Sequence, residues 1–109
     1  MDYRRLGRAP LRISALGLGT MTWGEQNNES EAHAQIEQAL AAGVNFIDTA
    51  EMYPVPPRAE TQGRTEAILG NWLARHSSQR DQLIIATKVS GRADWLPWIR
   101  DGHPRLTRM

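Results

Sequence analysis

Along the chain, short apolar runs alternate with longer stretches in which apolar residues recur every three or four positions. That alternation predicts strands followed by helices, an α/β chain. Ahead of it, residues 3–14 read as two short strands joined around Gly7 to Pro10. Residues 15–19 form a small-residue strand whose glycines let a ligand or a neighbour approach the backbone. The first helix is predicted to open near Asn28 or Ser30, where Asn28 and Glu31 have capping-box spacing with Asn in place of Ser or Thr. Its apolar stripe is Ala32, Ile36, Ala39 and Leu40, and Gly43 stands where a C-terminal cap belongs. Residues 44–47 are nearly continuous in apolarity, as expected of a strand buried on both faces. A second helix is predicted over 64–76, turning Ile68, Leu69, Trp72 and Leu73 toward the sheet. At that spacing Trp72 reads as core rather than as a substrate platform. A third strand is predicted over 83–87. Beyond Gly91 the periodicity dissolves, and Trp95 and Trp98 either pack that loop down or line a pocket. No internal repeat, low-complexity tract or interdomain linker interrupts the pattern.

The polar residues at the strand ends change the picture. Asp48 ends the second apolar run, Tyr53 follows five positions later, and Lys88 ends the third run. Strand ends and the loops beyond them are where α/β proteins gather their chemistry. A free phenol, with a pKa of about 10, is a poor acid at neutral pH. A neighbouring ammonium favours the phenolate and brings the phenol closer to the range in which a general acid works. A carboxylate beside the amine keeps it charged and in place. Converging, the three can deliver a proton to a carbonyl oxygen as hydride reaches its carbon. Each also has an ordinary reading: a cap, a half-buried aromatic, a lysine whose stem lies along a strand end.

Several blocks, in order, carry a resemblance. Residues 3–7 (Tyr-Arg-Arg-Leu-Gly), 11–14, 14–24 (Ser-Ala-Leu-Gly-Leu-Gly-Thr-Met-Thr-Trp-Gly), 43–53, 63–70 and 85–89 resemble the aldo-keto reductases. The loop 53–63, Tyr-Pro-Val-Pro-Pro-Arg-Ala-Glu-Thr-Gln-Gly, is similar to a bacterial NADPH-linked branch of that family. The resemblance implies a TIM (β/α)8 barrel, here an N-terminal hairpin, the first three parallel strands and two helices. The hairpin would close the bottom of the barrel. It also implies metal-free transfer of hydride from NADPH to an aldehyde or ketone. Tyr53 matches the proton donor, Asp48 the acid and Lys88 the amine. Gly19, Thr20 and Met21 match the turn that lies against the nicotinamide end of the cofactor, with Gln26 as a further contact. The family's fourth catalytic residue is a histidine at the end of the next strand. His33 and His76 lie in helical patterns and His103 in a Pro/Gly-rich tail, so none corresponds to it. Residues 91–109 would be a loop over the barrel mouth, with Leu106 and Thr107 near the start of the next helix.

Length and composition narrow the reading further. A complete barrel needs about 250 residues, and the chain has 109. The expectation is the first third of an enzyme, lacking the late strands that supply the phosphate-binding segments. A net charge of +1 offers no basic field for nucleic acid. With no cysteine there are no disulfides and no thiolate metal ligands. Neither a signal-peptide core nor an apolar run of about 18 residues is present. A cytoplasmic protein acting on a small-molecule carbonyl substrate, without nucleic-acid or membrane partners, is expected. Gly17-Leu-Gly19 after a strand also suggests a Rossmann fingerprint, but Thr22 stands where its third glycine belongs, and Asp48 comes too late for its acidic residue. The remaining alternative is a non-catalytic remnant or regulatory subunit keeping part of the reductase fold.

Overall fold

The structure, a computed structural model, describes residues 1–103. Strands β1 (Tyr3–Arg5) and β2 (Arg12–Ser14) pair antiparallel, Tyr3 opposite Ser14. Then β3 (Leu18–Gly19), α1 (Glu29–Ala41), β4 (Phe46–Asp48), α2 (Arg64–Arg75) and β5 (Ile84–Ala86) alternate as expected. The last three strands form a parallel sheet with β4 in the centre. Gly19, Asp48 and Ala86 are register partners at its C-terminal edge. One row of residues therefore presents every following loop on the same side.

Helix α1 begins where its cap predicts. The Asn28 side chain accepts from the Glu31 backbone N–H at 2.8 Å, and the Glu31 carboxylate accepts from the Asn28 N–H at 3.0 Å. At the other end Val44 N–H donates to Ala39 O and Gly43 N–H to Leu40 O, the bonding of a Schellman motif. Gly43 has φ +89°, and a β-carbon there would come within 2.9 Å of the Tyr3 hydroxyl. Only glycine meets both demands.

The strands are shorter than the apolar runs, because the neighbours of each run claim its ends. Val44 closes α1, while Asn45 is held by the hairpin through Ser14 N–H and Arg12 O, so β4 starts at Phe46. Ala15 N–H donates to Asp2 O, which leaves only Leu18 and Gly19 to pair in β3. Between α2 and β5, Ser77–Gln82 forms a 3₁₀ turn that the all-polar sequence does not announce.

The helices pack on one face of the sheet. Trp23, Ala32, Ile36, Ile47, Ile68, Leu69, Trp72 and Leu83 form the main core, with Leu40 and Leu73 half-buried against it. Fully burying a side chain such as Ile36 contributes about 1.5–3 kcal/mol. Trp72 is thus core, as its spacing predicts. Burial of β4 on both faces is not observed. Ile47 is buried, whereas its neighbours Phe46 and Asp48, pointing to the other face by strand alternation, are only half-buried. Among the described residues, β3 and β5 each pair on one side only. A smaller core of Ala93, Leu96 and Ile99, with Met52 and Trp98 against it, folds the loop after β5 onto the sheet edge. The expected helix start at Leu106 and Thr107 lies outside the described residues.

Candidate active site

The sheet edge aligns the predicted residues. Asp48 is the last residue of β4, Lys88 lies two residues past β5, and Tyr53 stands on the loop after β4. Backbone bonds join those loops: Thr49 N–H donates to Ala86 O at 2.8 Å, and Glu51 N–H to Lys88 O at 3.0 Å. The side chains meet accordingly. The Lys88 ammonium lies 3.0 and 2.9 Å from the two Asp48 carboxylate oxygens and 2.8 Å from Thr49 O. It also sits 5.0 Å from the centre of the Tyr53 ring, within cation–π range.

The electrostatics favour the charged amine. Hydrogen bonding to Asp48 raises the Lys88 pKa above the ordinary lysine value. Partial burial opposes this, and the Asp48 charge and Tyr53 add to the rise. Lys88 is accordingly a fixed cation at neutral pH. Its side chain and that of Asp48 are 52% and 41% exposed, so the pair faces an open edge rather than a sealed interior.

The segment 19–21 borders this group. The Thr20 hydroxyl donates to Asp48 O at 2.8 Å, and Val55 N–H, two residues past Tyr53, donates to Met21 O at 2.9 Å. Gly19 is exposed, and a β-carbon there would touch nothing within 4 Å; Met21 is 51% exposed. Gln26 is not brought to the trio. Its backbone closes a turn onto Thr22 O, and it lines a separate cleft of 660 Å³ walled by residues of the α1 entrance and α2.

His33 and His76 are occupied elsewhere, and His103 lies on the loop after β5. His33 Nε2 donates to Ile68 O across the helix pair at 3.0 Å. His76 stacks on Trp72 with ring centres 4.2 Å apart. His103 is exposed beyond the loop core. The two aromatic candidates separate: Trp98 packs down, its Nε1–H reaching Gln62 Oε1 at 3.2 Å, while Trp95 is 63% exposed. Sequence reasoning passed over Glu51, which stands between Asp48 and Tyr53 and bonds to Ser90 N–H and to Arg100. Its position within the acid–tyrosine segment was the available signal; Arg100 left none.

The sequence profile of the aldo/keto reductase family matches residues 15–108. The chain belongs to the aldo/keto reductase family. Among the relatives it matches, protein Tas of Escherichia coli is 64% identical over 91 residues, covering 84% of this chain and 26% of Tas. The uncharacterized oxidoreductase YrpG of Bacillus subtilis is 42% identical over 89 residues, covering 82% of this chain and 26% of YrpG. The holo form of an aldo-keto reductase from Bacillus halodurans superposes with a TM-score of 0.67 at 35% identity, covering 84% of this chain and 27% of that one. This aldo/keto reductase chain thus spans about a quarter of the length of the curated relatives it matches. Among the described residues, the three parallel strands and helices α1 and α2 are a partial barrel of that family, not a closed one. Among the described residues no helix is long and apolar enough to cross a membrane.

Proposed function

We propose that this chain is the opening segment of an NADPH-dependent reductase that converts an aldehyde or ketone to an alcohol. One observation carries the reading. A lysine ammonium, held in place by both oxygens of Asp48, is set against the ring of Tyr53 at the C-terminal edge of a parallel sheet. NADPH, when bound, supplies hydride to the carbonyl carbon. Tyr53 gives its proton to the carbonyl oxygen as the new C–H bond forms. Lys88 stabilises the negative charge left on the phenol oxygen, and Asp48 keeps Lys88 charged and positioned.

The open surface over Gly19 and the exposed Met21 suit a flat ring lying against the backbone there, while Thr20 uses its hydroxyl to tie the segment to Asp48. Gln26, on the far cleft, has less support as a cofactor contact. The small-molecule carbonyl substrate and a cytoplasmic setting are parts of the same proposal.

The test is to incubate the full-length protein with a panel of aldehydes and ketones and NADPH deuterated at the transferable position. Deuterium on the carbinol carbon of the product is the expected result. Loss of NADPH that is independent of any carbonyl, or no turnover across the panel, would favour the non-catalytic reading instead.

A further inference from the structure

Glu51 ties together three segments of the site. Its backbone N–H donates to Lys88 O at 3.0 Å, and its backbone oxygen accepts from Gln62 Nε2 at 2.6 Å. Its carboxylate accepts from Ser90 N–H at 3.2 Å and from Arg100 Nη1, while that same Arg100 nitrogen lies 3.3 Å from Ser90 O. Glu51 thus stands two residues before Tyr53, bonded to a residue two positions beyond Lys88. Gln62 completes the ring by accepting from Trp98 Nε1–H. The loop after β5 folds over this knot on its own small core of Ala93, Leu96 and Ile99, with Met52 of the tyrosine loop packed against it.

The side chains of Arg100 and Glu51 are only 22% and 25% exposed. Asp48 and Lys88 make the contact expected to do the chemistry. The Glu51 backbone N–H reaches Lys88 O, while its carboxylate and the Arg100 guanidinium bond to each other and to Ser90, and these bonds join the two loops that carry that contact. From this we infer that Glu51 and Arg100 are positioning residues: their ion pair clamps the loop of residues 91–103 to the tyrosine loop and so fixes Tyr53 relative to Lys88. The clamp deepens the reductase reading and rests on it, because positioning matters to the rate only if Tyr53 and Lys88 react. Misplacing a reacting group by about 1 Å can cost about 100-fold in rate, so a network that holds two loops in register is a plain means of control.

The experiment compares the full-length protein with Arg100→Met, Glu51→Gln and their double substitution, with Arg100→Lys and Tyr53→Phe as controls. The expected result is a fall in kcat of about 10- to 100-fold in each, with NADPH affinity unchanged and the double variant no worse than the singles. Arg100→Lys should recover part of the loss. Trypsin gives an independent reading, because Arg92 lies within the clamped loop. Cleavage after Arg92, located by mass spectrometry, should be at least severalfold faster in Arg100→Met.

An unchanged cleavage rate overturns the clamp. So does an unchanged kcat in Arg100→Met when Tyr53→Phe abolishes turnover in the same assay. Losses that add in the double variant also count against a shared pair. If Tyr53→Phe itself leaves turnover intact, the reductase reading falls, and the proteolysis result alone decides on the clamp.

Discussion

Replacing Lys88 with Met separates two roles that an ion pair can have. Met keeps most of the length of the unbranched side chain and removes the charge. In the structure the Lys88 and Asp48 side chains are about half exposed, and the lysine also donates to Thr49 O. An exposed pair of this kind contributes about 0–1 kcal/mol to stability, since water competes for both charges. In a barrel of about 250 residues that corresponds to a change in Tm of at most about 2–4 °C. Catalysis should respond on a different scale. General acid–base assistance is worth about 100- to 10,000-fold, or about 3–5 kcal/mol at about 1.36 kcal/mol per tenfold. The assay is a thermal melt and carbonyl-dependent NADPH oxidation on the same preparation of full-length protein. A large loss of kcat with a nearly unchanged melt is expected. If the melt fell by 10 °C or more and activity followed the folded fraction, the pair would be structural and the reasoning wrong.

Three further outcomes follow from the same structure. Because Asp48 raises the Lys88 pKa, the pair's small stabilisation is complete below the ordinary lysine value of about 10.4 and is lost as pH rises through the raised value. The stability difference between the parent and Lys88→Met should therefore shrink in strongly alkaline buffer, and a difference that grew there would contradict the assignment. Gly24 has φ +96°, and a β-carbon would come within 2.8 Å of Arg64 Cβ. Gly24→Ala should cost at least about 1–2 kcal/mol in a denaturant melt of the full-length protein, and a neutral result would show that the loop relaxes. Residues 1–109 expressed alone leave β3 and β5 each paired on one side among the described residues, with Leu16, Met21, Val89 and Trp95 exposed. That chain should melt without cooperativity, bind a hydrophobic dye and bind NADPH weakly; a sharp melt with micromolar NADPH binding would refute the expectation.

Local signals made most of the architecture legible. The capping pair at Asn28 and Glu31, the glycine at position 43 and the stripe through Ile68 and Trp72 act within a turn or two of helix, so their outcome is written nearby. Asp48 and Lys88 were legible for a related reason: an ionisable residue ending an apolar run marks where a strand leaves the core. Strand ends were less legible. Val44 and Asn45 look like strand but are claimed by the helix terminus and by the hairpin, a competition that an apolar run cannot encode. Loop 91–103 shows the same limit at longer range. Its bonds to Glu51 and Gln62 join residues 36 to 49 positions apart, a range at which no local pattern can announce them. Gln26 lines a cleft walled by α2, apart from the Asp48–Lys88 edge, a placement that its position in the sequence does not show.

The central claim is that Tyr53 is the proton donor, and Tyr53→Phe tests it most directly. The substitution keeps the ring beside Lys88 and removes only the hydroxyl. In the full-length protein the account predicts carbonyl reduction lost by at least about 100-fold while NADPH binding, followed by fluorescence titration, stays within about twofold. Turnover at the parent's rate would contradict the account, and the proton would have to come from another group.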